Sequence, residues 1–428
     1  MSSFLPADIL LPQNIDLQKW SVIACDQYTS DKQYWEAVYE YVQDAPSALK
    51  IILPEIFLNQ SDVAQQIIKI NKTMGTYIHE DLFQTYHQAF IYVTRRLSDG
   101  NVRKGIVGML DLEDYAFYKG AQTPVRATEG TVLDRIPPRV KIRKDAPLEL
   151  PHIMILIDDP DMEVIEPIEN RLQNFRILYD FNLMQKGGHI TGRLLDETEN
   201  SRIINALDRL SSPHNLNKKY GNTTQLPFTF AVGDGNHSLA TAKTCYENLK
   251  KTLSVEKLKN HPARYALVEL VNLHDKSLHF EAIHRAVFHI NPQDMLLSLK
   301  NYYKEIQISE IKTDVPEGAH TFTILINGQT LFASVKNPKC NLSVGTLQEF
   351  IDIYTAKNGG IVDYIHGDYV VAKLVAESPE DTIGFILPNM KKDDLFKTVI
   401  LDGALPRKTF SMGRAEDKRF YLESRKIQ

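Results

Sequence analysis

Cysteine is scarce in this 428-residue chain: Cys25, Cys245 and Cys340 are the only three, and no two form a Cys-x-x-Cys pair. That argues against a disulfide framework or a structural zinc site and suits a reducing cytoplasm. No stretch approaches the ~20 apolar residues of a membrane span, and the first residues show no basic region leading into an apolar signal core. A net charge of −5 offers no bulk positive charge for nucleic acid. The expectation is a cytoplasmic protein with neither nucleic acid nor membrane as partner, its oligomeric state open. Internal repeats and low-complexity tracts are absent. So are Gly-x-x-x-x-Gly-Lys-Ser/Thr, Gly-x-Gly-x-x-Gly, Gly-x-Ser-x-Gly, His-Glu-x-x-His and a kinase catalytic-loop signature, which removes the common nucleotide and hydrolase scaffolds.

What is present centres on residues 227–249. Residues 228–232 are a short apolar run that reads as a buried strand. Residues 238–249 have helical spacing, with Leu239, Ala242, Cys245 and Leu249 on one face. Between them stands Gly233-Asp234-Gly235-Asn236-His237. The glycines permit positive φ and a close backbone approach to a ligand. Free N–H groups at the helix start favour an anion, with Ser238 at the same start. Asp234 and His237 add an acid/base pair and a possible metal ligand. The competing reading is a plain turn in which Asp234 caps the helix.

The rest of the chain supplies further candidates. Residues 20–25 form a β-like run that delivers Asp26 ahead of a helix, a plausible catalytic or capping position. Residues 87–97 and 102–112 alternate around Ser98-Asp99-Gly100-Asn101 and read as a hairpin. Residues 124–143 crowd Arg126, Thr128, Glu129, Thr131, Asp134 and Arg135 into ten positions. Arginine grips phosphate with a planar fork, and glutamate acts as a base or holds Mg²⁺; a loop of surface Glu–Arg pairs is the rival reading. His284 and Arg285 sit next to each other on an apolar strand, so they face opposite sides. Residues 359–368, which include His366, read as a loop, and residues 405–414, which include Lys408, read as a basic turn. The length predicts two or three domains, divided approximately as 1–123, 124–290 and 291–428, or one compact unit.

Taken together, these stretches resemble the bacterial and archaeal family known as domain of unknown function 1015. The resemblance rests on Tyr115, Arg126-Ala-Thr-Glu129-Gly-Thr131 with Asp134-Arg135, Asp234-Gly235-Asn236-His237, His284-Arg285, Asp363-Tyr364-Ile365-His366 and Pro406-Arg407-Lys408-Thr409. The family more usually shows Arg-His-Glu-x-Thr and Asp-Gly-His-His-Arg; here Ala127-Thr128, Asn236 and Ser238 depart from that pattern, as does the segment around Asp26. The Asp-Gly-x-His motif is also similar to that of free serine kinases built on a ParB/sulfiredoxin-like scaffold. That resemblance implies an α+β fold of mixed sheets with flanking helices, a ParB/sulfiredoxin-like core and an additional α+β subdomain. It also implies a kinase-like phosphotransferase acting on serine or phosphoserine, with a nucleotide or pyrophosphate as co-substrate and Mg²⁺. Asp234, also the Mg²⁺ ligand, and His237 would handle the phosphates. Glu129 would be the base, with Asp26 second. Arg126, Thr131, Arg135, Gly233, Gly235, Asn236, Ser238, His284, Arg285, His366 and Lys408 would bind phosphate or nucleotide. A phosphoserine-type phosphatase and a non-catalytic ParB-like nucleotide-binding regulator are the rival functions. Residues 126–135 and 233–237 are expected to line one cleft.

Overall fold

The computed structural model describes residues 2–23, 28, 31–58, 62–131, 133–150, 152–221 and 228–428. Cys25 and Asp26 lie outside the described residues. The chain forms two compact units, Met1–Leu278 with Gly413–Gln428, and His279–Met412. These boundaries differ from the divisions expected near residues 123 and 290. Strands from both sides of residue 123 share a sheet, as Val102–Asp111 does with Tyr265–Asn272.

In the first unit a ten-stranded mixed sheet runs in the order Arg176–Asn182, His189–Leu194, Ile91–Arg96, Val102–Asp111, Tyr265–Asn272, Met154–Ile157, Phe230–Asp234, Val125–Ala127, Tyr115–Ala116, with Phe4–Leu5 beside Val102–Asp111. Its middle strands alternate strictly. Ile91, Val93, Val107 and Leu267 enter one apolar cluster, while Tyr92, Ile106, Ala266 and Val268 enter the other. Both faces are therefore covered, as the period-2 geometry of a strand requires when each side meets a core. The expected hairpin forms between Ile91–Arg96 and Val102–Asp111. Gly100 takes φ +87°, and Asn101 N donates to Asp99 Oδ1 at 2.9 Å. The helix Asn236–Lys250 packs Leu239, Ala242 and Tyr246 into the second cluster.

The last segment of the chain is tied to this sheet by buried charge. Glu269 is 2% exposed and meets Arg419 and Arg103. Arg419 also binds Glu423, which accepts from Tyr179. Glu149 meets Arg425 and Arg143. Burial opposes ionisation of Glu269, but the charges of Arg419 and Arg103 outweigh it and hold the carboxyl below its ordinary value. The same balance, with Arg425 and Arg143 as cations, lowers Glu149.

The second unit carries an antiparallel sheet in the order Ile306–Ser309, Gln329–Val335, His320–Ile326, Ile383–Ile386, Phe280–Phe288, Ile361–His366, with Phe410–Met412 beside Phe280–Phe288. Its helices include Pro292–Tyr302, Ser343–Asn358, Asp368–Glu377 and Asp394–Asp402. Residues 361–366, expected in a loop, are an edge strand paired with Phe280–Phe288. Gly359 and Gly360, both at positive φ, turn the chain out of the preceding helix into that strand. Asp363 and His366, the charged and titratable residues that suggest a loop, are both exposed on this edge strand.

The buried ion network generates two expectations for the first unit. Because Glu269 and Glu149 have lowered pKa values, their contribution is present above their unfolded value of about 4.3 and is lost as pH falls through the folded values. Arg419→Met leaves Glu269 and Glu423 short of a cation and is expected to lower stability by about 3–5 kcal/mol. Urea unfolding read by fluorescence measures this, since both tryptophans of the chain, Trp20 and Trp35, are buried in this unit. An unchanged midpoint would show that Arg419 is dispensable.

Candidate functional site

The strands Val125–Ala127 and Phe230–Asp234 run parallel, with Arg126 opposite Ala231 and Ala127 opposite Val232. Two sequence motifs about 100 positions apart thus leave neighbouring strands at the same, carboxyl, end. Thr128 Oγ1 ties them by donating to Val232 O at 2.6 Å. On the other side Met154–Ile157 runs antiparallel, with Met154 opposite Asp234. That pairing sets His152 and Ile153 beside the turn.

Gly235 makes the corner. Its φ is +81°, and a Cβ there would stand 3.0 Å from Ile153 Cα. Conformation and space both demand glycine. Gly235 is also the N-cap of Asn236–Lys250, and no side chain caps this helix. Asp234 is therefore not the cap. Its Oδ1 accepts from Gly235 N at 2.8 Å, and its Oδ2 lies 3.2 Å from Lys418 Nζ. The Asp234 side chain is 37% exposed and that of Lys418 12%. Burial works to raise the Asp234 carboxyl, but the charges of Lys418 and His152, with the bonds from Lys418 and Gly235 N, hold it below its ordinary value. His152 Nε2 lies 2.9 Å from Ser238 Oγ, and its ring meets Tyr421 edge-on.

Asp234 is the residue expected to hold Mg²⁺. Both carboxylate oxygens face hydrogen-bond donors, and the cation opposite is an ammonium. Among the described residues no group of three His, Cys, Asp or Glu side chains is placed to hold a metal. Mg²⁺ prefers oxygen ligands in an octahedral shell.

The candidates on the Val125–Ala127 side divide. Glu129 is half-buried just beyond Thr128. Thr131 Oγ1 is buried with no hydrogen-bond partner, as is Asn236 Oδ1 at the helix start. Arg135 is exposed on the turn Leu133–Arg135. Arg126 points elsewhere. Its Nε donates to Thr123 O at 2.9 Å, and its guanidinium stacks 4.5 Å from the Phe228 ring. Those partners lie at the amino ends of the two strands, whereas Asp234 lies at the carboxyl end. Burial pushes the Arg126 guanidinium down to about 10. Alternation along the strand decides this: Val125 and Ala127 enter the apolar cluster, so Arg126 takes the other face.

The remaining candidates belong to the second unit. Arg285 is fully buried. Its guanidinium donates to Gln348 Oε1 and to the carbonyls of Ile283, His284 and Arg407, and it stacks on Tyr364. These bonds make it an internal strut, a correction to its expected place as a phosphate clamp. His284 Nδ1 accepts from Leu387 N at 3.1 Å, and its Nε2 lies 2.7 Å from Asp368. Burial lowers the His284 imidazole although Asp368 works to raise it. His366 and Lys408 are exposed, Lys408 at φ +52°.

Lys418 and His152 are the residues at the corner that sequence reasoning misses. The local signal for Lys418 is faint: charges at 417–419, 423 and 425 interleave with Phe420, Tyr421 and Leu422. Such interleaving marks buried ion pairs without naming partners. A shallow depression lined by Phe117, Tyr118, Lys243 and Glu247 shares the helix but not the turn.

No curated protein matches the chain. Solved structures similar to it include free serine kinase in complex with AMP, at 10% identity and TM-score 0.38, covering 75% of this chain and 90% of that one. A conserved hypothetical protein from Pyrococcus furiosus matches at 11% identity and TM-score 0.35, covering 73% and 96%. SbnI with C-terminal truncation from Staphylococcus aureus matches at 8% identity and TM-score 0.35, covering 72% and 82%. The family described as "Protein of unknown function (DUF1015)" matches residues 9–354, most of the chain, and the protein belongs to that family.

Proposed function

We propose that residues 233–238 bind the phosphates of a nucleotide or pyrophosphate, and that the protein is a small-molecule phosphotransferase exchanging phosphate with serine. The observation that carries this reading is the start of the helix Asn236–Lys250, which follows a left-handed glycine and has no side-chain cap. With no side-chain cap, the first turn presents backbone N–H groups and the positive end of the helix dipole on one side, a combination that favours an anion. Lys418 adds positive charge beside the turn. Thr131 Oγ1 and Asn236 Oδ1 are buried polar atoms still lacking partners, and such atoms call for an explanation, a ligand being one.

Phosphoryl transfer asks for positioning and charge stabilisation rather than a covalent intermediate. The acceptor hydroxyl oxygen attacks phosphorus, the bond from phosphorus to the leaving oxygen breaks, and the hydroxyl proton passes to a base. Glu129 is the base of this proposal. It stands half-buried next to Thr128, whose hydroxyl holds the neighbouring strand. The turn donors and Lys418 stabilise charge on the transferred group. Serine as acceptor follows from the resemblance of Asp234-Gly235-Asn236-His237 to the free serine kinase motif.

Binding is tested by thermal melting with AMP, ADP, ATP and pyrophosphate. A ligand at 100 times its Kd stabilises by about 2.7 kcal/mol, so at least one of these is expected to raise the melting temperature. No shift with any of them would remove the phosphate site. Chemistry is tested by ³¹P NMR of serine or phosphoserine with the nucleotide that binds. Phosphate release to water in place of transfer would make the protein a phosphatase. Glu129→Gln is expected to lower kcat by roughly 10²–10⁴ while the nucleotide Kd stays within twofold; full activity in this variant would take Glu129 out of the mechanism.

A further inference from the structure

A second polar cluster lies under the helical turns Glu166–Asn174, away from the corner at Asp234. Met154 is opposite Asp234, whereas Ile157, at the other end of the same strand, is beside Asn272. Strand pairing sets Tyr92 beside Ile106, and Ile106 beside Leu270. By alternation Tyr92, Lys104 and Asn272 share the face that the turns cover, where Ile165 and Ile168 join Tyr92 in one apolar cluster. Hydrogen bonds gather acidic residues at its edge. Asn272 Nδ2 donates to Asp159 O at 2.8 Å and to Glu166 Oε1 at 3.1 Å. Asp275 Oδ2 accepts from Lys104 N at 3.3 Å, and its Oδ1 accepts from Ser277 N at 2.8 Å. The Lys104 ammonium is paired with Glu169 Oε2 at 2.7 Å.

Three buried oxygens of these residues have no hydrogen-bond partner: Tyr92 Oη, Glu166 Oε2 and Ser277 Oγ. Tyr92 is 0% exposed, and its hydroxyl is aimed at the acids. Burial pushes its pKa up, and the charges of Glu169, Glu166 and Asp275 push it further, against Arg193. Burial likewise raises the Glu166 carboxyl, and the charges of Asp159 and Asp275 add to the effect. Elsewhere in this unit buried carboxylates face side-chain cations, as Glu269 faces Arg419 and Glu199 faces Arg171 and Arg202. Here a buried hydroxyl and a buried carboxylate oxygen stay open amid negative charge. That arrangement is costly unless a cation completes it.

We propose that Tyr92 Oη and Glu166 Oε2 are ligands of an alkali cation, K⁺ or Na⁺, held beneath the turns Glu166–Asn174 in the field of Asp159 and Asp275. Ser277 Oγ, in the same turn as Asp275, is a further oxygen for it. A set made only of oxygens suits a hard cation. The small number of acids selects an ion of single charge. Among the described residues no group of three His, Cys, Asp or Glu side chains is placed to hold a metal, whereas Ca²⁺ gathers several carboxylates. The ion ties the strand Ile91–Arg96 to the turns that cover it and is an internal cross-link of the first unit, with no part in phosphate chemistry.

The experiment is thermal melting of the full chain at fixed pH and ionic strength in KCl, NaCl or tetramethylammonium chloride. Tryptophan fluorescence reads it, since Trp20 and Trp35 both belong to the first unit. Wild type is expected to melt about 5 °C higher in K⁺ or Na⁺ than in tetramethylammonium, the size of effect a bound ligand gives. Tyr92→Phe removes only the hydroxyl. It is expected to lose roughly half or more of that difference while melting no lower than wild type in tetramethylammonium. Glu166→Gln is expected to abolish the difference and to melt higher than wild type in tetramethylammonium, because an uncompensated buried charge is gone. Equal melting of wild type in the three salts overturns the proposal, as does a shift with Mg²⁺ and none with K⁺ or Na⁺. A Tyr92→Phe change that moves melting equally in every salt makes the hydroxyl a packing feature and also overturns it. If Glu166→Gln does not fold, the salt dependence of Tyr92→Phe decides alone.

Discussion

Neutralising Glu269 is the constraint on which the first unit depends. This carboxylate sits inside the sheet on Tyr265–Asn272, and Gly105 on the neighbouring strand makes room for it: a Cβ there would stand 2.5 Å from Glu269 Oε1. A buried carboxylate without cations is untenable. Arg103 comes from the adjacent strand, and Arg419 comes from the far end of the chain. The end of the chain is thereby bound to the middle of the sheet, and the same segment carries Lys418 to the turn at Asp234. Replacing such a network by apolar side chains often costs little, so its worth lies more in fixing geometry than in raw stability.

At the turn itself, backbone conformation and charge act together. Gly235 in the left-handed region lets a strand end and a helix begin within one residue, with Ile153 in tight contact where a Cβ would stand. The helix start then offers N–H groups in a fixed direction, and the neighbouring cation is held in place by buried arginines. In the second unit the same residue type serves a different end. Arg285 is surrounded by carbonyls, an amide oxygen and the Tyr364 ring, so its charge is absorbed within its own unit.

The hairpin at Ser98-Asp99-Gly100-Asn101, the alternating strands of the large sheet and the strand–glycine–helix order around Asp234 are legible in the sequence because each depends on residues a few positions apart. Turn chemistry, period-2 alternation and helical spacing are local physics. The strand at 361–366 escapes that reading because it lies at a sheet edge, where exposed polar residues such as Asp363 and His366 are compatible with a ladder on one side.

The sequence alone thus determined an α+β chain with a glycine corner between a strand and a helix and two polar motifs worth pairing. Tertiary structure alone decided which groups meet there. Parallel pairing of Val125–Ala127 with Phe230–Asp234 brought the motifs side by side, and strand alternation turned Arg126 away to Phe228. The return of residues 413–428 to the first unit put Lys418 opposite Asp234. Ion pairs across 184 positions, the separation of 234 and 418, depend on which strands become neighbours, and no local propensity encodes that choice.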